Sequence, residues 1–348
     1  MPPRSPQKAN PNLFERITEK LDARKNRRRI YQFLDQILED PTLDGNITSL
    51  QSRVNLLYYY LLKNSNRDNL PESTSHTSLP EGTAINPLAA AGCVKDGPRT
   101  LAFMRGFDQA VTTLRQLLGR RVKTLYLGSG PFATAALAAM RHHSPRILEL
   151  DFLDIHPQST DNLELLLPRL KFQKFIGQII TANALEYDFP DAPYDLIMGE
   201  TMHHAMLYEP QIAVMEAAKQ ALHPDHGLML PERISLGLNA KNTYTDATIN
   251  MPSCWEYNLH ATQSSPYIKM TGFCVPPETG VYQVTITTEV TVFGQNSINS
   301  GQSLITTPLS LGEIDLKADR QAGISIMYKH GGDPKVSGQT FNFNVKQF

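Results

Sequence analysis

The sequence predicts an α/β protein, in which a parallel sheet covered by helices follows a helical segment and precedes an antiparallel β unit. Three observations carry this. Strand-like and helical stretches alternate over residues 99–235, the pattern of parallel strands joined by crossover helices. An apolar strand at 124–127 runs into Gly128-Ser129-Gly130 and then an Ala-rich helix at 133–140, a strand–turn–helix unit. Beyond residue 235 the helical period disappears, and Val284, Ile286, Val290 and Val292 alternate with Thr285, Thr287, Glu289 and Thr291, as in a half-buried antiparallel strand.

The first unit spans residues 1–87. Phe14, Ile17, Leu21, Ile30, Phe33, Leu34 and Ile37 recur at helical spacing over 13–40, and Leu50, Val54, Leu57, Tyr58, Leu61 and Leu62 do so over 48–63. The stretch 64–87 is rich in Ser, Thr, Asn and Pro, the composition of a linker or loop. Arg24, Lys25, Arg27, Arg28 and Arg29 lie within the first helix and read as a solvated face, because no aromatic residues interleave them.

The second unit spans 88–235. Helices are expected at 100–118, 133–140, 162–170 and 211–222, and strands at 124–127, 147–153, 177–181, 194–198 and 228–230. The third, 236–348, reads as an antiparallel barrel or sandwich of six to eight short strands, with Trp255 and Tyr257 in its core.

With 348 residues and a net charge of −1, nothing suggests a nucleic-acid surface. Cys93, Cys254 and Cys274 are an odd, scattered set without a CxxC pair, which fits a reducing, cytosolic setting. The polar start reads against a signal peptide, and no apolar run reaches the ~18 residues of a membrane span.

The Gly turn brings a ligand close to backbone, and the following helix N-terminus offers free N–H groups. The next strand ends Phe152-Leu153-Asp154-Ile155-His156, placing an acid to accept hydrogen bonds from ribose hydroxyls. Ala133 satisfies the last position of a dinucleotide fingerprint, so spacing alone leaves NAD open. The third strand ends Thr181-Ala182-Asn183-Ala184-Leu185. Together these three strand ends resemble the S-adenosylmethionine pocket of class I methyltransferases, where Gly128, Ser129, Gly130, Asp154, Asn183, Ala184 and Leu185 would line a Rossmann-like site.

Three further segments narrow the resemblance. They are Lys95-Asp96-Gly97-Pro98-Arg99-Thr100, Gly199-Glu200-Thr201-Met202-His203-His204 running on to Tyr208-Glu209, and Gly227-Leu228-Met229-Leu230-Pro231-Glu232-Arg233. All three resemble motifs of the protein arginine methyltransferases: Lys-Asp-x-x-Arg-Thr, the "double-E" loop, and Gly-Leu-Ile-Phe-Pro-Asp-Arg. The resemblance implies that Arg99 pairs with the cofactor carboxylate and that Glu200, also in the cofactor set, and Glu209 grip the acceptor. The chemistry agrees. A guanidinium is a poor nucleophile with a pKa above about 12, and two carboxylates can hold its planar fork and offset developing charge.

The departures are specific. Thr201 replaces the family's Trp, and His203-His204 replace its Gly-Tyr; both histidines are carried as candidates for proton handling or substrate contact, not as metal ligands. The Thr-His-Trp loop has no counterpart, the nearest stretch being Asn299-Ser300-Gly301-Gln302. The β region leaves little room for the dimerisation arm, so any homodimer would form without it. These features point to N-methylation of a guanidino or amino group, more on arginine or a small biosynthetic intermediate than on a protein, beneath an N-terminal helical cap. The competing readings are ring closure or aminocarboxypropyl transfer from the same cofactor, and a non-catalytic binding module. No metal is expected.

Overall fold

The computed structural model describes residues 13–66, 70, 74–191, 193–260, 263, 265–318, 320–331 and 342–347. The polar start read against a signal peptide and parts of the 64–87 stretch lie outside them, as do residues 332–341 of the third unit.

The chain begins with α1 (Leu13–Glu39) and α2 (Ile47–Asn64). Asn46 caps α2 by accepting from Ser49 N at 2.9 Å. A hairpin follows, β1 (Thr77–Leu79) and β2 (Gly82–Ala84), then the short α3 (Pro87–Gly92). Leu50, Val54, Leu57 and Leu61 are buried as their spacing requires. Leu21, at helical spacing with Ile30, Leu34 and Ile37, is instead 59 % exposed, in a stretch of α1 where residues 21–25 are all exposed. Arg24, Lys25, Arg28 and Arg29 are exposed as expected, while Arg27 is half-buried and donates to Arg169 O at 3.3 Å.

The central unit opens with α4 (Gly97–Leu118), capped by Asp96 and ended by Gly119 at φ 66°. Then come β3 (Val122–Leu127), α5 (Thr134–His142), β4 (Leu148–Asp154), α6 (Pro157–Arg169), β5 (Ile176–Thr181), β6 (Leu196–Gly199), α7 (Gln211–Ala218) and β7 (Leu228–Leu230). α6 starts five residues before the expected 162. Pro157 occupies its first turn, where a fixed φ suits the helix and the missing N–H costs nothing. The five strands are parallel, in the order β5-β4-β3-β6-β7. The chain therefore runs outward from β3 in one direction, then returns to build the other half from β6. The crevice at the carboxyl ends of β3 and β6 is the topological switch point, where ligands bind in open α/β sheets.

Among the described residues the last unit has eight strands: β8 (Arg233–Asn242), β9 (Thr248–Asn258), β10 (Tyr267–Cys274), β11 (Gly280–Phe293), β12 (Asn296–Ile298), β13 (Leu309–Leu316), β14 (Ala322–Lys329) and β15 (Asn342–Gln347). One antiparallel sheet runs β12-β11-β8-β9 with β13 on β11, and the other runs β10-β14-β15. Tyr257 is buried in this unit, whereas Trp255 stacks on it at 6.4 Å and stays half-buried.

The three units share one apolar core, from Leu34 and Leu57 through Phe103 and Phe107 to Val284 and Ile324. α1 and α2 pack against α4, α5 and α6, with Arg105 Nη2 donating to Asp40 O at 2.8 Å and Arg169 Nη1 to Asn64 O at 2.7 Å. On the other side of α4, Gly106 lets Val292 of β11 approach so closely that a Cβ would sit 2.6 Å from its Cγ1.

Candidate active site

At the switch point lies a partly enclosed cavity lined by residues at the carboxyl ends of β3, β4, β5 and β6. Its floor comes from β3. Gly128 and Gly130 both take left-handed φ values, 61° and 58°, and a Cβ on Gly128 would collide with Thr201 Cγ2. Asp154 at the end of β4 holds this turn: its Oδ2 accepts from Gly130 N at 2.8 Å and its Oδ1 from His156 N at 2.9 Å. Burial pushes the Asp154 carboxyl up, against the pull of those two N–H donors. Each oxygen keeps a further acceptor site for a ligand hydroxyl. Asn183 and Ala184 line the cavity after β5, but Leu185 does not. Its N–H instead donates to Asn183 Oδ1 at 3.1 Å. Ser129 Oγ and His156 Nε2 are buried without hydrogen-bond partners among the described residues, and both residues line the cavity.

The acidic side of the cavity depends on three elements. Arg99, in the first turn of α4, is buried and donates through Nε to Glu200 Oε1, just beyond β6. Burial opposes its charge, and Cys93, Glu200 and Glu209 outweigh that opposition, so it stays protonated. Its Nη atoms make no hydrogen bond to the described residues.

Glu209 arrives at the same cavity through an unusual loop. Ala205, Met206 and Tyr208 adopt left-handed φ values of 52°, 53° and 60°, each strained for a residue with a Cβ. The surroundings over-determine this path. Ala205 N donates to Thr288 Oγ1 at 2.9 Å, Tyr328 Oη to Ala205 O at 2.7 Å, and Gly331 N to Met206 O at 2.8 Å. Thr83 N of the hairpin donates to Tyr208 O at 2.6 Å. Glu209 emerges buried, and its carboxylate makes no hydrogen bond to the described residues. Burial raises its pKa to about 7, Arg99 pulling down and Glu200 pushing up.

The structure thus brings Arg99, Gly128, Ser129, Gly130, Asp154, Asn183, Ala184, Glu200 and Glu209 to one cavity. His203 and His204 do not line it. Their rings lie 4.0 Å apart, and His203 packs 4.6 Å from Tyr208. Burial, with help from His204, lowers the His203 pKa to about 4, so at neutral pH it is an uncharged support behind the loop.

Several lining residues carried no sequence signal. Leu79, Ala84 and Ile85 reach the cavity from the hairpin and the segment after it, a stretch whose composition reads as a linker or loop. Gln211 positions Thr201, its Oε1 accepting from Thr201 N at 2.8 Å while its Nε2 donates to Gly199 O at 3.0 Å. Residues 299–302 do not line the cavity, but the residues after them do position it. Ser303 Oγ and Leu304 N donate to Asp96 Oδ2 at 2.6 and 2.9 Å, bracing the start of α4 beside Arg99.

No protein-family model matches the chain, and no curated protein matches it in sequence. Solved structures do. One is the Trypanosoma brucei PRMT1 enzyme–prozyme heterotetrameric complex with AdoHcy, at 12 % identity and a TM-score of 0.52 over 74 % of this chain and 96 % of that one. Another is Arabidopsis thaliana protein arginine methyltransferase 10, described in a uniquely open conformation, at 10 % identity and a TM-score of 0.54 over 74 % and 95 % of the two chains. The chain has the fold of these proteins.

Proposed function

We propose that this protein is an S-adenosylmethionine-dependent N-methyltransferase acting on a guanidino or amino group of a small molecule. The observation that carries the reading is Glu209, a carboxylate buried at the cavity with no hydrogen-bond partner among the described residues, in a strained loop held by two other units. Such a group is costly to bury unless a ligand partners it. A cation with N–H donors does so.

The other half of the cavity fits the cofactor. Arg99 Nη atoms suit its carboxylate, Asp154 its ribose hydroxyls, and the Gly128–Gly130 cradle admits it against backbone. The AdoHcy in the Trypanosoma brucei complex supports the same assignment by likeness of fold. When bound, S-adenosylmethionine supplies an electrophilic methyl group.

The protein's own groups would then act in sequence. Arg99 turns its Nη atoms to the ligand carboxylate while its Nε keeps Glu200 in place. Glu200 and Glu209 orient the acceptor nitrogen through charge-assisted hydrogen bonds. A cation beside Glu209 ionises it, and Glu209 then takes the N–H proton that the acceptor nitrogen loses on methylation. The hairpin supports a small acceptor. Gly82 packs on Tyr208 O and Pro210 N, and Lys329 Nζ donates to Pro80 O at 2.9 Å, so the segment roofs the side next to Glu209. Three unpaired cysteines suit a cytosolic setting, and no helix among the described residues is long and apolar enough to cross a membrane.

The test is single-turnover reaction with a panel of guanidines and amines, read by mass spectrometry. S-adenosylhomocysteine with a methylated acceptor supports the reading; methylthioadenosine replaces it with ring closure or aminocarboxypropyl transfer. Glu209→Gln should lose about 2–4 kcal/mol of transition-state stabilisation, roughly 30- to 1000-fold in rate. Wild-type turnover in that variant removes the clamp.

A further inference from the structure

Away from the cavity, Asp108 of α4 meets His142 and His143 at the end of α5, with one ligand atom from each lying within 4.8 Å of the others. Neighbouring residues seldom share an ion because their side chains diverge. Here α5 ends between them. His142 is its last residue, and His143 turns into extended backbone at φ −91°, ψ 168°. That turn brings the two rings to 4.8 Å between centroids.

Both histidines face the Asp108 carboxylate. His142 Nδ1 lies 2.9 and 3.0 Å from the two Asp108 oxygens. His143 Nε2 lies 3.0 Å from Asp108 Oδ1 on a side chain only 9 % exposed, yet it makes no well-aligned hydrogen bond to the described residues. A ring nitrogen beside an oxygen but not pointing at it is how two ligands of one ion stand, their lone pairs converging between them. Ligand atoms at about 2.0–2.1 Å from a tetrahedral zinc are separated by about 3.3 Å, close to the 2.9–3.0 Å between Asp108 and each histidine nitrogen.

Charge and access agree. The carboxyl end of α5 favours a cation, and the adjacent Arg141 is turned to Asp35 at 2.9 Å. The His142 side chain is 57 % exposed, which leaves a path from solvent. Two imidazoles and one carboxylate select zinc over magnesium or calcium.

We propose that Asp108, His142 and His143 bind one Zn²⁺, with a fourth position open to water. The ion would pin α4, which carries Arg99, to α5, which follows the Gly turn.

The experiment uses the full chain, free of any affinity tag and stripped with EDTA, titrated with Zn²⁺ by calorimetry and with Co²⁺ by absorption. One Zn²⁺ should bind per chain, with a rise in melting temperature. Asp108→Asn and His142→Gln should each weaken it at least about tenfold while leaving the circular dichroism spectrum unchanged. The Co²⁺ spectrum should show a tetrahedral nitrogen/oxygen site. No binding by the wild-type chain, equal affinity in both variants, or a thiolate-to-cobalt band pointing to a cysteine site would each overturn the proposal.

Discussion

Replacing Glu209 by Gln should stabilise the unliganded protein, and by an amount that grows with pH. Glu209 has an ordinary value of 4.5 and is raised to about 7 in the folded chain, chiefly by burial. Between those values the folded state holds a proton that the unfolded state has released, so stability falls as pH rises through this window. The difference of about 2.5 units corresponds to about 3 kcal/mol at 1.36 kcal/mol per unit. Gln keeps the size of the side chain and cannot ionise, so it mimics the protonated form throughout. Denaturant unfolding of both proteins, followed by circular dichroism from pH 4 to pH 8, makes the measurement. The stability difference should be near its baseline at pH 4, climb from about pH 4.5 to 7, and favour Glu209→Gln by about 3 kcal/mol above that. A cationic acceptor should show the converse, binding more tightly by up to about tenfold per unit as pH rises toward 7. A stability difference that stays flat from pH 5 to 8 would refute the reasoning, because Glu209 would then already have a partner.

Three other outcomes follow from named contacts. Asp154→Ala should weaken S-adenosylhomocysteine binding by about 1–3 kcal/mol, read by calorimetry; unchanged affinity in a folded variant would remove the acid from the ribose role. Glu200→Gln leaves the buried Arg99 without its charged partner and should cost about 3 kcal/mol of stability. S-adenosylhomocysteine, which offers a carboxylate, should therefore raise the melting temperature more in this variant than in the wild type, and a smaller rise would argue against Arg99 as its partner. Gly82→Val places a Cβ 2.7 Å from Tyr208 O and 2.8 Å from Gly331 O at φ 150°, so hydrogen exchange should rise across 77–84 and at 203–209 together; a rise in one segment alone would mean that the hairpin does not hold the loop.

What the sequence determined by itself was set by local backbone requirements. Gly128 and Gly130 occupy left-handed positions, Gly119 ends a helix at positive φ, and Val284 and Ile286 alternate on a strand with Thr285 and Thr287. Each of these follows from dihedral preference or side-chain period over a few residues, so the α/β order, the turn and the acids at strand ends were legible before any coordinates. The tertiary structure decided everything that depends on what a side chain meets far along the chain. Periodicity grouped Leu21 with Ile30 and Leu34, but it is exposed where they are buried. Their place in the loop made His203 and His204 candidates, but three left-handed residues turn it so that Glu209 reaches the cavity and the two histidines do not. The pairing of Arg99 with Glu200, the hairpin over the loop, and Asp108 beside His143 join residues 101, about 125 and 35 positions apart. No local preference encodes such meetings, because they are set by how the packed units exclude water. That exclusion is also what leaves Glu209 protonated at a pH where an exposed glutamate would carry charge.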